Sequence, residues 1–241
     1  MGCQALSAWQ PLKLRALMLL FHCSQAAVDG LSVTRKGKQE SWITQTPLPA
    51  AVAEPAIPHW HWHLHQVTIS RQRVWVAMEQ QTRFAMVLWG FKKGEGEALL
   101  HCFYERLANH LIWTLTYLEL LDDEQAEQLL PPLLAQLSPF HFVAGSDRSV
   151  QAHITDVVQL CRLAVSEQGC LPDNQEQAAG FDMQLNQTPR SVRGGPYIFP
   201  DEQLLCLLLE RLDGYHKVTA DAVKSAFKAA RRAYFDMPPI A

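Results

Sequence analysis

No apolar run in this chain reaches the roughly 18–20 residues that a membrane-spanning helix requires, which argues against an integral membrane protein. Its cysteines, Cys3, Cys23, Cys102, Cys161, Cys170 and Cys206, include no C-x-x-C pair and no zinc-ribbon spacing. Cys102, Cys161 and Cys206 sit inside apolar patterns, which reads as reduced, buried thiols and points to a cytoplasmic protein. An excess of one charge is also missing. The 21 Lys+Arg against 24 Asp+Glu leave a formal net charge of -3, too little for wholesale binding to nucleic acid or an acidic membrane. Gly94 and Gly96 lack the spacing of a P-loop or a Rossmann turn, and there is no internal repeat, so no nucleotide-binding or solenoid signature is present.

What remains is an ordinary globular composition, 241 residues of which 48% are hydrophobic, enough to bury a core. Lys13 and Arg15 precede an apolar stretch at 16–21 and small residues at 23–27, in the manner of a weak signal peptide. The stretch is shorter than a secretory h-region and His22 follows it at once, which favours the cytoplasm. Residues 1–17 read as an upstream extension or a misassigned start, 18–213 as a single α+β domain, and 214–241 as an appended amphipathic basic helix.

The apolar run at 18–23 reads as a buried strand, and the Pro- and Ala-rich stretch 46–58 as a loop. Three short β-rich runs at 65–70, 74–79 and 84–89, separated by polar turns at 71–73 and 80–83, predict an antiparallel meander. From Glu97 the apolar residues Leu100, Phe103, Leu107 and Leu111 recur at helical spacing. A second helix is predicted over 122–130, with Pro131 and Pro132 interrupting it or starting a short following turn to Leu137, and a further strand over 140–144. Ser146 or Asp147 then caps a helix whose stripe is Val150, Ile154, Val157, Val158 and Cys161. Residues 170–195, rich in Gln, Asn, Pro and Gly, read as loop, 201–212 as a buried helix, and 219–234 as an amphipathic one. The expected fold is therefore α+β, an antiparallel sheet of the meander plus additional short strands, packed against several helices.

The most informative stretch is HWHWHLH at 59–65. On a strand alternate side chains share a face, so His59, His61, His63 and His65 point one way while Trp60, Trp62 and Leu64 point the other. One face can bind and the other pack. Imidazoles two residues apart on one face can converge on a metal, which makes His61, His63 and His65 a candidate site for zinc or another divalent ion. A third ligand would come from His22, His101, His141, Asp147 or Asp156; no cofactor is firmly implied.

Four stretches, WHLH (62–65), QVTISRQRVWVAM (66–78), SDRSVQAHITD (146–156) and LNQTP (185–189), together carry a resemblance. The chain resembles an uncharacterised family of small bacterial proteins, a domain of unknown function, over roughly residues 18–212. The matching positions are Trp62, His63, Ile69, Arg71, Asp147, Arg148, Ser149, Val150, Asp156, Asn186, Thr188 and Pro189. The resemblance implies a compact α+β protein with Met18 near its start, and no activity.

Ser149, His153 and Asp156 share one helix face, but three residues side by side on a helix cannot expose a nucleophile to an oriented base, which argues against a hydrolase triad. Arg148 at the same helix start can instead add a bidentate contact to an anion held by backbone N–H groups. The leading expectation is a non-catalytic binding or regulatory module with Trp62, His63, Arg148, Ser149, Asp156, Asn186 and Thr188 around an anionic or protein ligand. The alternative is a metal-dependent hydrolase, a phosphodiesterase or nuclease, using the His61–His65 strand face. Lys224, Lys228, Arg231 and Arg232 form a basic helix face for nucleic acid or an acidic partner.

Overall fold

A computed structural model describes residues 17–44, 58–137, 140–172, 174–192, 194–211 and 218–236. The chain opens with strand β1 (Met18–Cys23), helix α1 (Gln25–Leu31) and a small hairpin, β2 (Ser32–Arg35) and β3 (Lys38–Ser41). The meander follows as β4 (His59–Ile69), β5 (Gln72–Glu79) and β6 (Ala85–Trp89). Helices α2 (Gly96–Tyr117) and α3 (Asp123–Gln136) lead to β7 (Phe140–Ala144), then α4 (Arg148–Gln168) and α5 (Gln175–Gln187). A two-residue pair, β8 (Arg190–Ser191) and β9 (Tyr197–Ile198), precedes α6 (Pro200–Arg211) and α7 (Ala220–Asp236).

The main sheet has the order β6-β5-β4-β1-β7. The meander β4-β5-β6 is antiparallel as expected, but β1 runs parallel to both β4 and β7, so the sheet is mixed rather than antiparallel throughout. Short turns can be read locally; β1 and β7 reach their neighbours through long crossovers that leave no local signature. The class remains α+β.

Strand parity divides the core in two. Leu19, Phe21, Trp60, Trp62, Leu64 and Trp75 pack with Phe103, Leu107 and Leu111 of α2 on one face. Val74, Val76, Met78 and Val87 pack with Val150, Ile154 and Val157 of α4 on the other. Helix α1 lies so close on the tryptophan face that a Cβ on Gly30 would meet the Trp75 ring at 2.7 Å. Each helix therefore buries the stripe that its sequence period supplies.

Two expectations fail here. Pro131 and Pro132 do not end α3, which continues to Gln136; Ala126 and Leu129 before the prolines and Leu137 after them are all buried in one core, so packing holds both halves in line. The stretch read as loop contains α5, capped by Asn174, whose Oδ1 accepts from Gln177 N at 2.9 Å. Composition misleads because the polar residues of this helix face inward. Ala85 N donates to Asn186 Oδ1 at 2.8 Å, Asn186 Nδ2 returns to Ala85 O at 2.7 Å, and Val87 N donates to Asp182 Oδ1 at 3.0 Å. Arg190 adds a bond to Arg83 O. Asn186 and Asp182 thereby satisfy outer backbone groups of β6 that a sixth strand would otherwise have to meet, and Arg190 holds the residue just ahead of that strand.

The β4–β5 turn, Ser70–Arg71, has φ of 47° and 65° in residues that carry a Cβ. Positive φ at both central positions marks a type I′ hairpin, for which Asn-Gly is the favoured pair. Replacing Ser70→Asn together with Arg71→Gly should raise stability by about 1 kcal/mol, read as a higher urea midpoint. An unchanged or lower midpoint would show that the turn carries no strain.

Candidate functional site

β1 and β7 are adjacent and parallel, and the helices that follow them diverge. After Cys23 the chain turns into α1 on the tryptophan face; after Ala144 it turns into α4 on the opposite face. In open α/β sheets such a divergence at the carboxyl ends of neighbouring strands leaves a crevice where ligands bind. The two loops are tied by Gly145 N donating to Cys23 O at 3.0 Å.

Register places the histidines at this crevice. His22 is level with His63 of β4, and Leu20, on the same face as His22, is level with His61 and His141. The His22 ring stacks between those of His61 and His63, with centroids 5.2 and 4.9 Å away. His22 Nε2 and His61 Nδ1 lie 2.9 Å apart. His63 Nε2 meets Gln80 Oε1 at 3.2 Å, His65 Nδ1 meets Ser24 Oγ at 3.0 Å, and His141 Nδ1 meets Thr44 Oγ1 at 3.1 Å. Burial pushes the His22 imidazolium down to about 4, with His63 adding to the effect and Asp147 opposing it. His63 and His65 are lowered as well, chiefly by burial. His22, His63 and His65 are therefore neutral at pH 7.

Opposite the imidazoles stands the start of α4. Asp147 accepts from Ser149 N at 2.7 Å and Val150 N at 3.3 Å, and Ser149 Oγ donates to it at 2.6 Å. The Ser149 hydroxyl bond, ahead of the two backbone bonds, holds this carboxyl down at about 2. Arg83, buried in the turn after β5 with φ of 60°, donates from Nη2 to Ser149 Oγ at 3.1 Å.

This chain belongs to the domain-of-unknown-function family DUF6933. The family model, described as "Domain of unknown function (DUF6933)", matches residues 20–203. No curated protein and no solved structure matches the chain. The matched segment of this DUF6933 chain holds every residue of the crevice, starts two residues into β1 and stops within α6, so α7 lies outside it.

The predicted site residues separate into groups. His61, His63 and Ser149 meet at the crevice. Arg148, at the same helix start, is exposed. Trp62 is fully buried on the other face of β4, and Asn186 is fully buried against Ala85, so neither joins the predicted groove; both build the core instead. Asp156 is exposed on α4 with His153 Nδ1 at 4.0 Å. His153 turns its Nε2 to Ser191 O, 3.1 Å away. Thr188 lines a cavity among α2, α5, α6 and α7. Of the basic helix face, Lys224, Lys228 and Arg232 are exposed, whereas Arg231 turns inward to an ion pair with Glu202. Among the described residues, no three His, Cys, Asp or Glu side chains gather as a metal site would require, and no helix is long and apolar enough to cross a membrane. Sequence reasoning missed Gln80 and Arg83, which read as plain turn residues; nothing local announces that a turn arginine reaches a serine 66 positions away.

Proposed function

We propose that this protein is a non-catalytic binding module that takes a small oxyanion at the crevice beyond β1 and β7. The observation that carries the reading is the meeting there of His22, His61, His63, Arg83 and Ser149, brought from four separate segments to the divergence point of two parallel strands. Arg83 supplies a permanent positive charge behind Ser149, its Nη1 and Nη2 donating to Gln80 O and Ser149 Oγ, and the exposed Arg148 at the same helix start supplies fork-shaped donors. The imidazoles supply donors once protonated. Asp147 is an anion of the site itself, so an external anion is favoured only as the neighbouring histidines gain protons.

The sign of the pH effect follows. In the free protein His22 takes its proton only near pH 4; an adjacent anion raises that value, so binding takes up protons and strengthens as pH falls. Sulfate stays dianionic across the window, which assigns any change to the protein. Calorimetric titration of the full chain should give at least fivefold tighter sulfate binding at pH 5.5 than at pH 7.5, and His63→Gln or His22→Phe should remove the difference. Equal affinity at both pH values, or no binding, would overturn the reading.

A further inference from the structure

A cavity of about 500 Å³ lies among α2, α5, α6 and α7, and none of its lining residues belongs to the histidine crevice. Tyr117, Phe199 and Phe227 give it apolar walls, and Asp201 and Arg231 give it one polar end. Volume and lining are those of a small-molecule pocket, which is mostly apolar with a few convergent polar groups.

The polar end selects the chemistry. Arg231 stacks its guanidinium 3.8 Å above the Phe199 ring and donates from Nη2 to Glu202. Its Nη1 is buried with no hydrogen-bond partner among the described residues. A buried N–H of this kind is costly unless an acceptor meets it. Asp201 is buried beside the pair, and burial pushes its carboxyl up to about 7, against the pull of its own helix-start N–H bond and of Arg231. His110, also on the wall, is held down at about 3 by burial and stays neutral. Arg231 and Glu202 cancel, and Asp201 is protonated below about 7, so at pH 6 the end has little net charge to offer. A carboxylate ligand would leave an unbalanced negative charge in an apolar cavity, and an ammonium ligand would face the bare guanidinium N–H.

We infer that this cavity binds a neutral carboxamide on an apolar, ring-sized body, its carbonyl accepting from Arg231 Nη1 and its N–H donating to Asp201. An amide edge presents one acceptor beside one donor, the complement of that pair. Arg231 stands on α7, outside the segment that the family model matches, so the pocket is completed by a helix this chain carries beyond the common core.

Benzamide, benzoate and benzylammonium share a ring and differ in charge. Titrated into the full chain by ligand-observed NMR, benzamide should bind saturably and at least tenfold more tightly than either ion. Arg231→Met should weaken it at least tenfold. Should that variant unfold because Glu202 is left unpaired, Ala230→Phe, which fills the cavity from α7 without touching the ion pair, should abolish binding in a folded protein. His63→Gln should leave benzamide affinity unchanged, which separates this site from the oxyanion crevice. No benzamide binding, equal binding of the three probes, or binding that survives Ala230→Phe would overturn the assignment.

Discussion

Asp182→Ala should remove about 3–5 kcal/mol of stability, because it leaves the Arg106 guanidinium buried without its carboxylate. Both side chains are nearly inaccessible to solvent, and the carboxylate also receives Val87 N from the sheet. Against a usual total of roughly 5–15 kcal/mol, such a loss brings the protein close to unfolding at ambient temperature. Burial outweighs the attraction of Arg106 and holds the Asp182 carboxyl up at about 6, so the measurement belongs at pH 7.5, where the pair is ionised. The double variant Arg106→Met with Asp182→Leu should recover most of the loss, since two apolar side chains leave no uncompensated charge. Urea unfolding of the two variants decides the matter. Equal destabilisation would mean that the Val87 bond, and not the ion pair, holds α5 to the sheet.

The second large effect tests strand parity at neighbouring positions. Trp62→Ala should cost about 3–5 kcal/mol, the range for deleting a fully buried aromatic ring. Its ring meets Phe103 edge-on at 4.8 Å and lies near Trp60 and Phe84. His61→Ala, one position away on the half-buried face, should cost about 1 kcal/mol or less, typical of a side chain outside the packed core. Urea midpoints of the two variants should differ accordingly. Comparable losses would show that the imidazole face is as tightly packed as the indole face.

Parity was legible in the sequence because it needs only the two-residue period of a strand, and α4 was legible because its apolar stripe and a cap at Ser146 or Asp147 agree; the structure makes Asp147 that cap. The mixed sheet was not legible. Nothing local shows that residues 18–23 lie between 59–64 and 140–144. Helix α5 was hidden by the opposite difficulty: Asp182 and Asn186 look like solvent-facing residues, and only the sheet they meet explains their burial. The same holds for the crevice. HWHWHLH marked one wall and His22 stood among the candidate third ligands, while Arg83 came from a turn whose local pattern carries no functional signal. Asn186 was singled out correctly as unusual and placed in the wrong role, since a motif in sequence does not separate a residue that touches a ligand from one that secures the frame around it.

The clasp that Asp182 and Asn186 place on β6 has an effect beyond holding α5. At the other rim, Ile43 bridges to Phe142 and Thr44 N donates to Phe142 O at 2.7 Å. An extended peptide that sought to lengthen this sheet would find the β6 rim already answered by side chains and part of the β7 rim answered by the chain itself. Molecules of this protein are thus poorly suited to templating one another through strand-to-strand growth.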